Sequence, residues 1–257
     1  YIAVAVVVSL LAMLYTNYQG GSDVPDFSNT SVLKIFLHEF ENLRDLFPGQ
    51  NEALWLRSQK ILQKHLNKSQ PLEPATIILT AAHDGKNTLY CLSNGLAQAY
   101  SRSVSSSWVV IDGPSKATID SNTTKLHIDE TLTSNFNSTC RAAVLHRIEE
   151  LPPGSLVILH KYCDHENAIF KNVALVITVL LEKATLNSEF SLIELEEQVK
   201  DYLWEKFISP NIGNSHSEMN GDKLSGIWSR ISHLVLPVFP VDSLEKGSCP
   251  WSEPKKN

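Results

Sequence analysis

The sequence has no block of basic residues before Lys255 and Lys256, and its formal net charge is −6. General nucleic-acid binding, which depends on basic patches that neutralise phosphates, is excluded on that ground. Internal repeats and low-complexity tracts are also missing, and so is a G-x-S-x-G nucleophile elbow. Ser, His and Asp occur without a spacing that singles out a triad, so nothing supports catalytic hydrolysis. His160, Cys163, Asp164 and His165 lie close together in the chain, but no second pair at ligand spacing follows. Strand alternation would also set His160 opposite Cys163, so the cluster is expected to be structural and no metal site is expected.

With 43% hydrophobic residues over 257 positions, the chain can bury one good core of single-domain or slightly larger size. Residues 1–15 (YIAVAVVVSLLAMLY) are apolar apart from Ser9 and do not begin with Met. A buried core helix is the plain alternative, but the run is polar on no face. It predicts the C-terminal part of a transmembrane helix over 1–16. A polar linker over 17–31 follows, with Gly20, Gly21 and Pro25. Sequons at Asn29, Asn67, Asn122 and Asn137 are candidates for glycosylation and favour a lumenal or extracellular globular part. Four cysteines are compatible with an oxidising compartment.

The domain is expected over 32–249, with a tail over 250–257. It opens on two helices, one carrying Leu33, Phe36, Leu37, Phe40, Leu43 and Phe47 and one from Glu52 to Leu66. From Ala75 strands and helices alternate. Strands are predicted at Thr76–Thr80, Trp108–Ile111, Leu156–Leu159, Val173–Leu181 and Leu234–Val238. Helices are predicted at Thr88–Arg102, Cys140–Leu151 and Ser191–Phe207, with a polar excursion from Asp112 to Asn137. Continuous apolar strands separated by helices imply an α/β domain with a mainly parallel central sheet covered on both faces.

Such a sheet places its functional loops beyond the carboxyl ends of the strands. The first strand exits through Thr80-Ala81-Ala82-His83-Asp84-Gly85-Lys86-Asn87, which is similar to the phosphate-binding pattern G-x-x-x-x-G-K-[ST]. Gly85 and Lys86 are in register, but Thr80 stands where the turn needs glycine and Asn87 where magnesium needs a hydroxyl. After Leu156–Leu159, where an ATPase needs an acidic pair, stand His160 and Lys161. These six residues read as a degenerate nucleotide site. An ordinary glycine turn is the plain alternative for the loop.

Lys223–Val238 begins as an amphipathic helix with Leu224, Ile227, Trp228 and Ile231 inward. Arg230 falls on the flank of that stripe, one turn after Gly226, and taken alone it is a surface arginine. Four cysteines allow three pairings and the sequence does not choose among them. Cys163, just past a central strand, is where a tail can be fastened, which predicts Cys163–Cys249.

KYCDHE at Lys161–Glu166, VALVITVLL at Val173–Leu181 and above all IWSRISHLVLPV at Ile227–Val238 resemble the torsin-activating protein family, the lumenal domains of lamina-associated polypeptide 1 and its endoplasmic-reticulum paralogue. The resemblance runs from about Phe27 to Cys249. It implies an AAA+-like nucleotidase-type fold that binds no nucleotide and pairs in a mixed ring with torsin, an AAA+ ATPase without an arginine finger. Arg230 then stands where the family carries its finger, acting in trans on ATP and magnesium in the partner's site. No cofactor is expected on this chain. The implied setting is a single-pass membrane protein of the nuclear envelope or endoplasmic reticulum, with possible lamina contact through a further N-terminal part. The alternatives are a structural membrane adaptor without ATPase stimulation and a lumenal nucleotide-binding protein with an unorthodox site.

Overall fold

The computed structural model describes residues 27–189, 191–208 and 219–251. The expected membrane segment, most of the expected linker and residues 252–257 of the expected tail lie outside the described residues. Among those described, no helix is long and apolar enough to cross a membrane.

Two helices, α1 (Phe27–Leu46) and α2 (Glu52–Leu66), precede the sheet; α1 already begins inside the stretch expected to be linker. Asn51 caps α2 by accepting from the Ala53 amide at 2.8 Å. The remaining elements are β1 (Ala75–Ala81), α3 (Lys86–Ser103), β2 (Ser107–Asp112), α4 (Ser121–Asn137), β3 (Cys140–His146), α5 (Leu159–Cys163), β4 (Ala174–Leu180), α6 (Leu192–Ile208), α7 (Gly221–Ile231), β5 (Val235–Pro237) and α8 (Asp242–Glu245). All pairings in the sheet are parallel, in the order β2-β3-β4-β1-β5. The register sets Ile78 beside both Ile177 and Val235. Every residue of β1 and β4 is buried, as continuous apolar runs in a doubly covered parallel sheet must be. Ile77 and Leu79 belong to the core built with α1, α2 and α3 on one face, while Ile78 belongs to the core built with α4, α5, α6 and α7 on the other.

Three expectations are corrected. Cys140–Leu151, read as a helix, begins instead with β3. Ala143, Val144, Ile148 and Leu151 fit a helical stripe, but Ala142–Leu145 is also an unbroken apolar run. Periodicity cannot separate a short buried strand from a buried helix, and a slot between β2 and β4 decides for the strand. Leu156–Leu159, read as a strand, is a 3-10 turn (Pro153–Ile158) leading into α5. Pro152 and Pro153 lack amide donors and hold φ near the helical value, which suits such a turn and not a sheet interior.

The disulfide is the third correction. It joins Cys91 to Cys249, with Cα atoms 5.4 Å apart, while Cys163 and Cys140 are buried free thiols. Cys163 packs in the core on the α5 face of the sheet, whereas Cys91 and the tail carrying Cys249 lie on the α3 face. The sheet itself stands between the two cysteines that were expected to pair. Trp251, next to the bridge, packs against Phe47 with ring centroids 5.9 Å apart.

The polar excursion after β2 also contains structure, namely α4. Asp120 caps it, accepting from the Asn122 and Thr123 amides at 3.1 and 3.0 Å. Thr124, Ile128, Leu132 and Phe136 then recur every fourth residue as its buried stripe.

Candidate functional site

Helix α7 is set by Asn220, whose side chain accepts from the Lys223 amide at 2.9 Å, and by the buried stripe Leu224, Ile227, Trp228 and Ile231. Arg230 leaves the flank of that stripe with 30% of its side chain exposed. Its Nε donates to Asp164 Oδ2 at 2.7 Å, and Nη1 donates to the Gly226 carbonyl at 2.7 Å. Nη2 has no acceptor among the described residues. Among the described residues the guanidinium is therefore fixed at two corners and open at the third.

Asp164 is itself held. Its other oxygen accepts from the amides of Asn167 (2.8 Å) and Glu166 (3.1 Å) and from the Asn167 side-chain amide (3.2 Å). The Asn167 amide first and Arg230 next hold its carboxyl well below the usual carboxylate range, so it stays ionised beside the arginine. Gly226 makes room for the arrangement. A methyl there would sit 3.1 Å from Cε1 of His160 and 3.7 Å from Nη1 of Arg230. Burial foremost, then the Arg230 charge, lowers the His160 pKa. The ring centroids of His165 and His233, which follow α5 and α7, lie 4.4 Å apart.

The exit of β1 has the strand-turn-helix form of a phosphate loop. After β1, His83–Gly85 makes one 3-10 turn, Lys86 opens α3, and both Lys86 and Asn87 are exposed. The Thr80 hydroxyl is buried and has no hydrogen-bond partner among the described residues. Over the helix start lies the C-terminal segment. Glu245 accepts from the Asn87 amide at 3.1 Å, from the Thr88 amide at 2.6 Å and from the Thr88 hydroxyl at 2.6 Å.

His160 and Lys161 do not stand at a strand exit and do not face this loop. Both are in α5: His160 lies against α7, and Lys161 Nζ pairs with Asp129 at 2.6 Å. The position at the exit of a central apolar strand belongs to His146, the last residue of β3, and Arg147, which follows it. Burial first, with Arg147 and Lys86 adding to it, pushes the His146 imidazole down to about 3, and its Nδ1 lies 3.0 Å from the Thr178 hydroxyl. Arg147 adopts a left-handed φ of 56°. It pairs with Glu149 at 3.0 Å and Glu150 at 2.8 Å, and burial pushes Glu149 up to about 7. The strand thus ends on a neutral ring and is followed by a cation and two carboxylates that each pair with that cation. A cavity of about 420 Å3 opens beside them, lined by Tyr90, Asp112, Lys116, Thr131 and His146.

Among the described residues, no group of three or more His, Cys, Asp or Glu side chains converges on a metal position. The sequon residues Asn67, Asn122 and Asn137 are exposed, while the Asn29 side chain lies outside the described residues. Sequence reasoning missed Asp164 as the partner of Arg230, and it missed Glu245, His146 and Arg147 altogether. The apolar run Ala142–Leu145 was the signal for the last two.

Residues 19–250 match the family described as lamina-associated polypeptide 1, AAA+ activator domain. The chain belongs to this family. Relatives of this activator domain include torsin-1A-interacting protein 1 of Homo sapiens, 50% identical over 221 residues, covering 86% of this chain and 38% of that protein. The Bos taurus protein of the same name is 48% identical over 248 residues, covering 95% of this chain and 40% of its own length. The chain therefore spans about two-fifths of the relatives it matches. A closed-state cryo-EM reconstruction of Hsp104 with ATPyS and FITC casein superposes with a TM-score of 0.47 at 13% identity, over 84% of this chain and 37% of that one.

Proposed function

We propose that this activator domain stimulates the AAA+ ATPase torsin and does no nucleotide chemistry of its own, delivering Arg230 in trans to the ATP and magnesium held by torsin. The family description and the torsin-1A-interacting relatives support the partner. One observation carries the mechanism: the Arg230 guanidinium is clamped by Asp164 and the Gly226 carbonyl, while Nη2 has no acceptor among the described residues. Charge accumulates on the transferred phosphoryl oxygens in the transition state. A planar, permanently charged fork stabilises that charge best when it is already oriented.

The loop Thr80–Asn87, His146 and Arg147 support the second half of the proposal. The loop lacks both the first glycine and the metal-binding hydroxyl. The first two carboxylates beyond β3, Glu149 and Glu150, each give an oxygen to Arg147, and burial raises Glu149 to about 7, which disfavours the anion that magnesium needs. The sequons and the disulfide fit an oxidising lumen, and membrane anchorage in the endoplasmic reticulum or nuclear envelope belongs to the same proposal.

ATP turnover by torsin, measured with and without this domain, tests the reading. Wild type should raise turnover, and Arg230→Ala should bind torsin in the presence of ATP yet lose the stimulation, by roughly a thousandfold if the finger is as effective as in other phosphoryl-transfer systems. Undiminished stimulation by Arg230→Ala overturns the finger. The ion pair with Asp164 also fits a purely structural adaptor, and torsin binding by wild type without any stimulation assigns the domain that role. Micromolar ATP binding by the isolated domain overturns the claim that it has no nucleotide chemistry.

A further inference from the structure

Helix α3 starts without a cap of its own, because Gly85 at its N-cap offers no side chain. A helix of 18 residues beginning at a phosphate-like loop leaves amide donors and a positive dipole end to be satisfied. The donors of Asn87 and Thr88, with the Thr88 hydroxyl, converge on one carboxylate that lies far away in the chain, that of Glu245. The segment bearing it is fixed at several further points. The Asn87 side chain donates to the Glu245 carbonyl at 3.0 Å, the Val241 amide donates to the Thr88 hydroxyl at 2.9 Å, and Cys249 is bonded to Cys91 on α3. Gly85 lies close under the same segment, since a methyl on it would stand 3.4 Å from the Val238 carbonyl oxygen.

We propose that Glu245 is the built-in anion of the β1–α3 loop, its carboxylate occupying the place that a phosphoryl group takes at loops of this form. An anion is what such a helix start collects, through backbone amides and dipole together. Supplied by the chain itself, the anion needs no nucleotide, so the loop keeps its loaded shape and the position is closed to phosphate. The inference rests on reading Thr80–Asn87 as a phosphate loop and does not depend on Arg230.

The test is thermal melting of the whole domain, disulfide intact, with and without millimolar inorganic pyrophosphate, for wild type, Glu245→Ala and Glu245→Gln. Wild type should not respond. Glu245→Ala should melt about 2–4 °C lower, the shift that losing one helix cap makes in a domain of this size, and should regain that shift in pyrophosphate. Glu245→Gln keeps the shape and one acceptor and should show the same recovery on a smaller scale; it is the deciding variant if alanine does not fold. A loss that pyrophosphate does not restore makes Glu245 a helix cap only and overturns the proposal. So does an equal response by wild type, or the absence of any loss. Torsin stimulation by wild type is scored separately, so failure of the finger and failure of the built-in anion are distinct results.

Discussion

Removing the Cys91–Cys249 bridge gives a prediction whose size follows from the topology. The two cysteines are 158 residues apart. Closing a loop of that length in the unfolded chain costs about 5 kcal/mol at 25 °C by chain entropy, and that cost is borne by the unfolded state alone when the native tail stays in place. The native tail is also held by Glu245 on Thr88 and by Trp251 against Phe47, so little fraying should offset the effect. The double variant Cys91→Ala/Cys249→Ala should therefore lose about 3–5 kcal/mol, lowering the urea midpoint by roughly 1 M or more at the slope expected for a domain of this size. Urea unfolding under non-reducing conditions measures it. A matched alkylation experiment should find the Cys163 thiol unreactive before unfolding, because burial pushes its pKa up to about 12. A non-reducing digest that yields a peptide linked through Cys163 and Cys249, or a double variant within about 1 kcal/mol of wild type, would refute the reasoning.

Two further substitutions probe the surroundings of Arg230 and the exit of β3. Gly226→Ala brings a methyl 3.1 Å from the His160 ring; the gain in helix propensity, about 1 kcal/mol, offsets the crowding, so melting should change little. The same methyl would stand 3.7 Å from Nη1 of Arg230, an ordinary contact, so torsin stimulation should stay within a few-fold of wild type, and a loss of roughly tenfold or more would show that the His160 ring sets the position of the guanidinium. His146 is neutral in the fold with its pKa at about 3, against an ordinary 6.5. The unfolded chain takes up that proton first, so stability is fully present above pH 6.5 and falls as pH drops towards 3, by up to about 1.4 kcal/mol per pH unit. Glu149, raised to about 7 from 4.5, acts in the opposite sense, its contribution lost as pH rises through that window. The measurement is accordingly the difference between wild type and His146→Gln in urea titrations across pH 4–7. The variant should lose less stability on acidification, and identical slopes would contradict a buried neutral imidazole.

The sheet was legible where a strand is apolar on both faces and bounded by polar text. Thr76–Thr80 and Val173–Leu181 fall within a residue or so of β1 and β4. It was illegible where composition fits two structures. Ala142–Leu145 is short and alanine-rich, so its neighbours Ile148 and Leu151 completed a false helical stripe, and Leu156–Leu159 looks like a strand until its two prolines are weighed as turn formers. Helix α4 was hidden for the opposite reason. Its first turns are mostly polar, and its buried face is a single row from Thr124 to Phe136 rather than a broad stripe.

The tertiary partnerships were the least legible part, because no local pattern encodes them. Nothing in the tail shows that Glu245 would cap a helix 157 residues earlier, and the face of the sheet on which a cysteine lies emerges only once β3 is placed. Arg230 illustrates the point most fully. Sequence reasoning put it on the flank of its helix and read it, taken alone, as a surface arginine. What holds it is Asp164, itself fixed by the turn through Glu166 and Asn167. KYCDHE and IWSRISHLVLPV, two of the stretches that carry the family resemblance, are thus two halves of one structure, a carboxylate presented by a turn and an arginine presented by a helix. An ordinary surface ion pair needs neither a glycine clearing on the arginine's own helix nor a carboxylate with its second oxygen already saturated by three other donors. Such a pair restricts the guanidinium while leaving Nη2 available, which a group serving another subunit's transition state requires and a group serving only the stability of its own domain does not.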